Sequence, residues 1–154
     1  MRHVTYAIAL ALFASTSLYS YVVTQTTDNG DPTVAGSLSQ AIVTANSTGE
    51  TISFTVNGVT LSSHLPPITN SYTINGGSGV TINGLGLYQI FLVSPKNGSS
   101  NVSLINLNLY QGASQGATGG VSNSGGGGGG GGGLGAGGAL FVDLGAGVTC
   151  SNVT

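Results

Sequence analysis

Charge is the scarcest property of this chain. Of its 154 residues only 4% are charged, against about 25% in an average soluble domain. Arg2 and Lys96 are the only strong bases, so the basic patch that is typical of a nucleic-acid-binding protein is missing. Binding to an anionic membrane surface is disfavoured for the same reason. We therefore expect no nucleic-acid partner.

Cysteine is almost absent as well. Cys150 is the only one, which excludes a disulfide within the chain. It stands at the place that Ile82 and Leu104 hold in two similar strand segments, so we predict a small buried hydrophobic residue rather than a reactive thiol. The alternative is a cysteine that pairs with another chain or stays free, as lone cysteines of exported proteins can.

Acidic residues are few and scattered. They are Asp28, Asp31, Glu50 and Asp143. A glycosidase needs two well-placed carboxyl groups, and a polysaccharide lyase needs a base and a means of neutralising a carboxylate. Lys96 and Glu50 lie in predicted turns, and His64 has no partner ligand near it in the sequence. We predict no catalytic, cofactor-binding or metal-binding residues, and hence no enzyme and no cofactor.

One long apolar run lies near the N-terminus. Residues 1–20 predict a secretory signal peptide, because Arg2 precedes an almost entirely apolar segment from Val4 to Ala14. Small residues favour cleavage after Ser17 or Ser20. A membrane anchor is disfavoured because the run is shorter than the roughly 20 residues that span a bilayer. No later stretch predicts a transmembrane helix. Because residues 1–20 predict a signal peptide, we expect an exported protein.

What the chain has in abundance is apolar residues set among small polar ones. Hydrophobic residues make up 40% of the sequence, which argues against disorder. Glycine, serine, threonine and asparagine fill much of the remainder, a mixture typical of many short strands joined by tight turns. Residues 21–154 therefore predict one all-β domain.

A short strand phrase returns along this domain. The segment 80–85 resembles 102–107 and 148–153, at spacings of 102 − 80 = 22 and 148 − 102 = 46 residues. Strand segments that return in this way predict a stacked β-coil, because each coil must bury its apolar face on the next. We predict a right-handed parallel β-helix, a solenoid.

The alignment of these segments sets the predicted stacking. Val80 should lie on Val102, and Ile82 on Leu104. The dipeptide Asn57-Gly58 taken alone favours a hairpin, but it suits the corner of a coil equally well, because both residues tolerate left-handed backbone. The local sequence leaves these two alternatives open, and the repeat favours the coil.

A helix and a second strand type complete the predicted domain. An apolar stripe at helical spacing predicts a short helix that begins at Ser37, its N-cap, and ends at Asn46. This helix would cap the N-terminal end of the solenoid, where exposed strand edges invite aggregation. The strand at 88–93 has a later copy at 138–142.

Glycine dominates the stretch between these two strand copies. Its centre is an unbroken run from Gly125 to Gly133. The longer spacing exceeds the shorter by 46 − 22 = 24 residues, close to the length of the tract 111–138. We therefore predict one coil that carries a mobile glycine-rich insertion at 111–138, with one degenerate extra coil as the alternative. The chain stops within the third copy of the phrase, which predicts a truncated fragment.

Several segments, in their order along the chain, resemble a known family. They are 36–42, 51–54, 65–68 and 72–76. In this order they are similar to the N-terminal region of bacterial parallel β-helix passengers, those of autotransporters and polymorphic outer-membrane-type proteins. Residues 137–140 resemble the Gly-Gly-Ala-Ile/Leu/Val signature of the latter proteins, and residues 54–57 resemble its Phe-x-x-Asn partner.

The resemblance implies a passenger that a C-terminal β-barrel, not contained in this sequence, carries to the outer membrane. Association with that membrane would come only through the barrel. The expected role is structural or adhesive, at the bacterial cell surface or outside the cell, with host or bacterial surface proteins or glycans as partners. The alternative is the N-terminal part of a secreted polysaccharide lyase or glycoside hydrolase with a pectate-lyase-like β-helix.

Overall fold

The computed structural model describes residues 19–96, 98–115 and 137–154. Within them the chain is mostly β-structure, with a curled parallel sheet and one short helix, so the all-β prediction is confirmed at this level. The predicted signal peptide falls mainly on residues 1–18, and the predicted insertion mainly on 116–136. Both of these segments lie outside the described residues.

The sheet is built around one long strand. The elements, in chain order, are β1 (Ser20–Val23), β2 (Thr27–Asp28), α1 (Leu38–Thr48), β3 (Thr51–Phe54), β4 (Gly58–Leu61), β5 (Thr73–Asn83), β6 (Phe91–Val93), β7 (Ser100–Tyr110), β8 (Leu140–Val142) and β9 (Ala146–Val153). Strand β5 pairs with β3 and β4 on one side and with β7 on the other, and β9 pairs with β7. Strands β6 and β8 form a separate pair. All of these pairings are parallel.

Parallel pairing decides between the two interpretations of Asn57-Gly58. The flanking strands β3 and β4 do not pair with each other. Instead β3 pairs with β1 and β5, and β4 pairs with β2 and β5. A hairpin joins antiparallel neighbours, so this dipeptide forms a corner between two strands of the same layer.

The register between β5 and β7 differs from the predicted one. Leu104 lies on Ile74, and Ile82 lies on Leu109. The prediction that Ile82 stacks on Leu104 is therefore wrong. The steps between paired residues are 104 − 74 = 30 and 109 − 82 = 27, rather than 22.

An irregularity in β5 explains the difference. Val80 lies on Leu107, not on Val102 as predicted, because the pairing shifts in the middle of the strand. There residues 76–79 of β5 lie opposite the single residue Asn106 of β7. Residues 73–76, before this bulge, and residues 81–84, after it, have the same sequence. Alignment of β7 with the second of these segments predicts the wrong register.

Two other predicted pairings are confirmed. Val148 lies on Val102, as the third copy of the strand phrase predicts. Strand β8 lies on β6 in parallel register, as the second strand type predicts. One pair of stacked residues does lie 74 − 52 = 22 positions apart in the sequence, but this pair is Ile52 of β3 and Ile74 of β5.

Helix α1 begins where predicted and ends later. Ser37 is the N-cap, and its side chain accepts a hydrogen bond from the N–H of Gln40 at 3.0 Å. The helix continues to Thr48, two residues beyond Asn46. It ends there because Gly49 adopts the left-handed conformation (φ 74°) that closes the last turn.

The core joins the inner face of the sheet to α1. Alternate residues along the strands are apolar and buried, and α1 adds an apolar stripe. Fully buried are Val23, Ile52, Ile74, Ile82 and Leu104 of the strands, together with Leu38, Ala41, Ile42 and Ala45 of the helix. Because side chains alternate between the two faces of a strand, the intervening threonine, serine and asparagine residues form a polar outer face.

Candidate functional site

The outer face of the sheet carries rows of uncharged polar side chains. One row passes from Thr73 of β5 to Ser103 of β7 and Thr149 of β9. Neighbouring strands lie about 4.8 Å apart, so the hydroxyl groups of a row repeat at that spacing. Such a face can donate and accept hydrogen bonds without carrying charge.

A second row ends in an exposed aromatic ring. Thr60 pairs with Asn83, and Asn83 pairs with Tyr110, which is 50% exposed. In the adjacent row Nδ2 of Asn108 donates to Oγ1 of Thr81 at 3.3 Å. We call these five residues the Tyr110 patch. It combines hydroxyl and amide groups with an aromatic ring, a combination that suits a neutral, hydrogen-bonding partner.

Asparagine side chains stack at one corner of the sheet. Nδ2 of Asn106 donates to the carbonyl of Gly77 at 2.6 Å, and Nδ2 of Asn152 donates to Oδ1 of Asn106 at 2.9 Å. The three residues all have left-handed φ angles, of 61° at Gly77, 55° at Asn106 and 53° at Asn152. Asparagine adopts this backbone more readily than most residues. The stack therefore has a structural role at the corner.

Asp28 is buried, at 2% exposure, and it has three donors around it. Its carboxylate accepts from the N–H of Ser39 at 2.7 Å, from the Oγ of Ser39 at 2.6 Å and from the N–H of Gly30 at 2.8 Å. Ser39 lies in the first turn of α1, where N–H groups have no partner within the helix. The negative charge also complements the helix dipole at that end. These contacts give Asp28 a structural role.

Two other carboxylates lie in turns and bond to nearby residues. Asp31 accepts from the Oγ1 of Thr33 at 2.7 Å and from its N–H at 2.8 Å. The hydroxyl bond, followed by the backbone bond, lowers the pKa of the Asp31 carboxyl below its usual range. Asp143 accepts from the Oγ of Ser94 at 2.9 Å and from the N–H of Leu144 at 2.7 Å.

The remaining charged or titratable candidates lie in connecting segments. Glu50 lies between α1 and β3, and exposed Lys96 lies between β6 and β7, in the predicted turns. His64 follows β4 and is exposed. Its ring lies edge-on to that of Tyr88, with the two ring centroids 5.5 Å apart.

Cys150 is exposed, contrary to the prediction. Its register is as predicted, because it lies on Leu104 and continues that apolar row. Leu104 is fully buried between the neighbours of β7, which are β5 and β9. Strand β9, in contrast, pairs on one side only within the described residues. A cysteine side chain is of a type that is often buried. The side chain of Cys150 is nevertheless exposed, because no described strand covers the outer side of β9.

A polar cluster joins α1 to the segment before β5. Nδ2 of Asn46 donates to the carbonyl of Pro67 at 2.8 Å, and its Oδ1 accepts from the N–H of Thr69 at 2.8 Å and from the hydroxyl of Tyr72 at 3.4 Å. Burial raises the pKa of the Tyr72 phenol, so the hydroxyl stays protonated and can donate. The cluster holds the helix against the sheet.

Within residues 19–96, 98–115 and 137–154, no group of three or more histidine, cysteine, aspartate or glutamate side chains is arranged to hold a metal ion. No helix in this part of the chain is both long and apolar enough to cross a membrane.

Comparison of the chain with models of protein families, with curated proteins and with solved structures gave no match. Among the described residues, the Tyr110 patch on the outer face combines exposed hydrogen-bonding groups with an aromatic ring and can contact a partner through both.

Proposed function

We propose that this chain is an exported β-helical passenger, surface-displayed or secreted, with a structural or adhesive role. The observation that carries the proposal is the stacking of successive segments in parallel register: β3 on β1, β5 on β3, β7 on β5 and β9 on β7. Connections between parallel strands of one sheet are right-handed in about 98% of cases. This pattern favours a right-handed parallel β-helix.

Each return of the chain follows the same order of positions, which further supports a solenoid. Strands β3 and β4 are followed by Ile68, β5 by β6, and β7 by β8. Ile68 pairs with Val93 of β6, and Val93 pairs with Val142 of β8. Ile68, Val93 and Val142 therefore stack on one another, and each comes from a successive turn of the chain. Successive repeats that contact only their neighbours are the defining property of a solenoid.

The outer face supports adhesion. None of the five side chains of the Tyr110 patch is charged, and the half-exposed Tyr110 ring lies in the row that contains Asn83 and Thr60. An aromatic ring next to neutral hydrogen-bonding groups suits glycans and polar protein surfaces. The expected partners are host or bacterial surface proteins or glycans.

The alternative function, the N-terminal part of a polysaccharide lyase or glycoside hydrolase, needs acidic or basic groups that reach a substrate. Asp28 is buried against the start of α1, and Asp143 is bonded to Ser94 and to its own turn. These contacts favour structural roles for both carboxylates. Adhesion is therefore the function that the described residues support better.

Export is tested by producing the full chain, with a C-terminal epitope, in a bacterium that has two membranes. We expect the epitope outside the cytoplasm, and N-terminal sequencing should show cleavage after Ser17 or Ser20. Ser20 is the first residue of β1, so cleavage after Ser17 would leave that strand whole. Leu10→Arg interrupts the apolar run and should abolish processing. Unprocessed chain in the cytoplasm without this substitution would contradict export.

Adhesion is tested with beads that carry the purified chain, on epithelial-cell layers and on immobilised mannan and dextran. Tyr110→Ala should weaken retention of the beads on whichever surface they bind. Val43→Ala shortens an apolar side chain of α1 that is 41% exposed and lies outside the patch, so it should have no effect. Equal losses in both variants would contradict a role for the patch, and no binding to any surface would favour a purely structural role.

A further inference from the structure

Asparagine is followed directly by glycine at five places in this chain. The five asparagines are Asn29, Asn57, Asn75, Asn83 and Asn97. Asn97 lies outside the described residues, and the other four pairs lie within them. An asparagine that precedes glycine is especially prone to lose ammonia spontaneously, because glycine has no side chain to hinder the approach of its nitrogen to the asparagine amide.

The reaction requires the glycine nitrogen to reach the side-chain amide carbon of the asparagine. The nitrogen gives up its proton and forms a bond to Cγ, and the Nδ2 group leaves as ammonia, so that a succinimide ring remains. Water then opens the ring. Opening at Cγ gives aspartate, and opening at the main-chain carbonyl gives isoaspartate, whose backbone runs through Cβ and Cγ. The reacting atoms must first approach to about 3–3.5 Å, so hydrogen bonds that fix either group slow the reaction.

Three of the four described asparagine side chains are fixed by a hydrogen bond. In each of them Oδ1 accepts from the N–H two positions later: Asn29 from Asp31 at 3.1 Å, Asn75 from Gly77 at 2.9 Å and Asn83 from Leu85 at 2.9 Å. Asparagine commonly stabilises turns in this way. The side chain of Asn57 is exposed, and it makes no hydrogen bond with a described residue.

The glycines of the same three pairs are confined as well. The N–H of Gly30 donates to the carboxylate of Asp28 at 2.8 Å, and the N–H of Gly84 donates to the carbonyl group at the end of β7 at 2.9 Å. Gly76 is buried, and a Cβ atom on it would collide with the carbonyl oxygen of Asn106. The backbone at these three glycines therefore cannot rotate towards the preceding side chain without loss of native contacts.

Gly58 has the most space of the four glycines. It is half-buried, and the nearest atom to a Cβ built on it is the carbonyl oxygen of Thr81, at 3.3 Å. The hydrogen bond that joins this corner to β5 uses the carbonyl of Asn57, which accepts from the N–H of Thr81 at 3.1 Å. That bond does not engage the nitrogen of Gly58. The corner before β4 therefore combines an unbonded asparagine side chain with the least confined glycine.

We propose that Asn57-Gly58 is a site of spontaneous deamidation, at which Asn57 is converted to aspartate and isoaspartate. The product adds a negative charge to a chain whose formal net charge is −2. The isoaspartate form also lengthens the main chain and displaces the carbonyl that accepts from Thr81, a residue of the Tyr110 patch. The change is slow and irreversible, and it loosens β4 from β5 beside that patch.

The proposal goes beyond the display role, because it assigns a modification site that needs no partner. Conversion of Asn57 depends only on the chain and on water, so it would occur whether or not the Tyr110 patch binds a surface. Adhesion would in turn persist if Asn57 were stable. The failure of one proposal therefore leaves the other standing.

Peptide mapping by mass spectrometry tests the proposal on the full purified chain, held at a mildly alkaline pH that favours loss of the glycine N–H proton. We expect residue 57 to convert at least tenfold faster than Asn29, Asn75 and Asn83. The same chain in concentrated urea is the matched control. All four asparagines precede glycine, so their rates should become similar once the fold is lost. Conversion in the folded chain at any of the other three as fast as at Asn57 would overturn the proposal.

Two variants test the mechanism at this corner. Gly58→Ala keeps Asn57 but adds a methyl group next to the attacking nitrogen, and it should slow conversion at least tenfold. Gly58 does not have a left-handed φ, so alanine adds no backbone strain there. Asn57→Gln would need a larger ring and should show no conversion over the same time. Circular dichroism verifies that both variants are folded, and an unchanged rate in either would overturn the proposal.

Hydrogen exchange of the aged chain measures the consequence for the sheet. The N–H of Thr81 should exchange faster in the isoaspartate form, because its acceptor has moved. The N–H of Ser103, which donates to the carbonyl of Tyr72 at 3.1 Å, is the control and should not change. Isoaspartate at residue 57 with unchanged exchange at Thr81 would overturn the link between this modification and the contact of β4 with β5.

Discussion

A buried charge and a hydroxyl group together fix the start of α1. The carboxylate of Asp28 accepts from Ser39 and from Gly30, while the Ser37 side chain accepts from the N–H of Gln40. The first N–H groups of a helix have no partner inside it, and these two side chains provide partners from outside. One of the few charges of this chain therefore stabilises the packing of its only described helix.

Asp28→Asn should destabilise the protein by about 1.5–3 kcal/mol, the usual contribution of a hydrogen bond to a charged group. The amide Nδ2 would face the N–H of Ser39, so a donor would meet a donor. Urea unfolding followed by circular dichroism measures the change. Asp31→Asn, at an exposed carboxylate, is the control and should have little effect. A comparable loss in both variants would contradict the role of burial.

Asp31 should titrate below the ordinary range of an aspartate. Its lowered pKa means that its contribution to stability is present above the unfolded-state pKa and is lost as the pH falls through the lowered folded-state pKa. Thr33→Val removes the hydroxyl donor, which is the larger cause, and should raise the pKa. Thr26→Val is the control. NMR chemical shifts of the Asp31 carboxyl group, followed as the pH is varied, measure this pKa. An unchanged pKa in Thr33→Val would contradict the hydroxyl bond as its larger cause.

Glycines 76 and 77 are required for different physical reasons. A Cβ atom at Gly76 would collide with the backbone carbonyl oxygen of Asn106, whereas one at Gly77 would meet nothing within 4 Å. Gly77, however, has a left-handed φ of 61°, which costs a residue with a side chain about 1–2 kcal/mol. Gly76→Ala should therefore lower the melting temperature more than Gly77→Ala. The opposite order would mean that backbone strain, not collision, dominates.

At the scale of single elements, the sequence predicts best what is decided locally. The start of α1 is predicted because a capping serine precedes an apolar stripe. The pairing of β8 with β6 and of β9 with β7 is predicted because each segment has one clear counterpart. The pairing of β7 with β5 is mispredicted because residues 73–76 and 81–84 offer two nearly identical partners within one strand. The contact of Gly76 with Asn106, which no local pattern contains, decides between them.

The asparagine stack gives a test of how corners are held. Asn106→Gly keeps the left-handed backbone but removes the bonds to Gly77 and Asn152, whereas Asn106→Ala also adds backbone strain. Both should destabilise the protein, and alanine should cost about 1–2 kcal/mol more than glycine. Asn152→Gly removes only one of the two bonds and keeps the left-handed backbone. Chemical unfolding of the three variants measures the order, and equal stability of glycine and wild type would contradict a structural role for the stack.

The candidate surfaces are harder to predict than the strands that form them. Tyr110 belongs to a patch only because the shifted register aligns it with Asn83. The place of Cys150 in the repeated phrase predicts burial, but its side chain is exposed because no described strand pairs with the outer side of β9. The asparagine stack left a signal that could have been found, since Asn106 and Asn152 hold the same place in two repeated phrases.

At the scale of the whole molecule, the two ends of the sheet differ. Helix α1 packs against β1 and β3 at one end, and at the other end β8 and β9 each pair on one side only within the described residues. An exposed strand edge with few charges lacks the usual protection against unintended pairing. For the chain as given, this end is where we expect a destabilised variant to aggregate.

The two segments that flank residues 116–136 lie side by side, next to β6. The N–H of Ala113 donates to the carbonyl of Tyr88 at 3.0 Å, and the N–H of Ile90 donates to the carbonyl of Gly138 at 3.3 Å. A Cβ atom on Gly112 would lie 2.5 Å from the carbonyl oxygen of Gly138. The two flanks of the intervening residues are therefore held side by side by backbone contacts of their own.

Replacement of residues 116–136 by a short glycine-serine linker should accordingly leave the pairing of β6 with β8 and of β7 with β9 unchanged. Halving the length of a connection changes its closure free energy by only about 0.6 kcal/mol, so the melting temperature should shift little. Gly138→Val is the matched control in the flank. Its side chain would enter the backbone contact with Gly112, so it should lower the melting temperature clearly. If the deletion lowered it as much as this substitution, the deleted residues would have to contribute packing that the sheet requires. Their interpretation as part of an insertion carried by one coil would then be wrong.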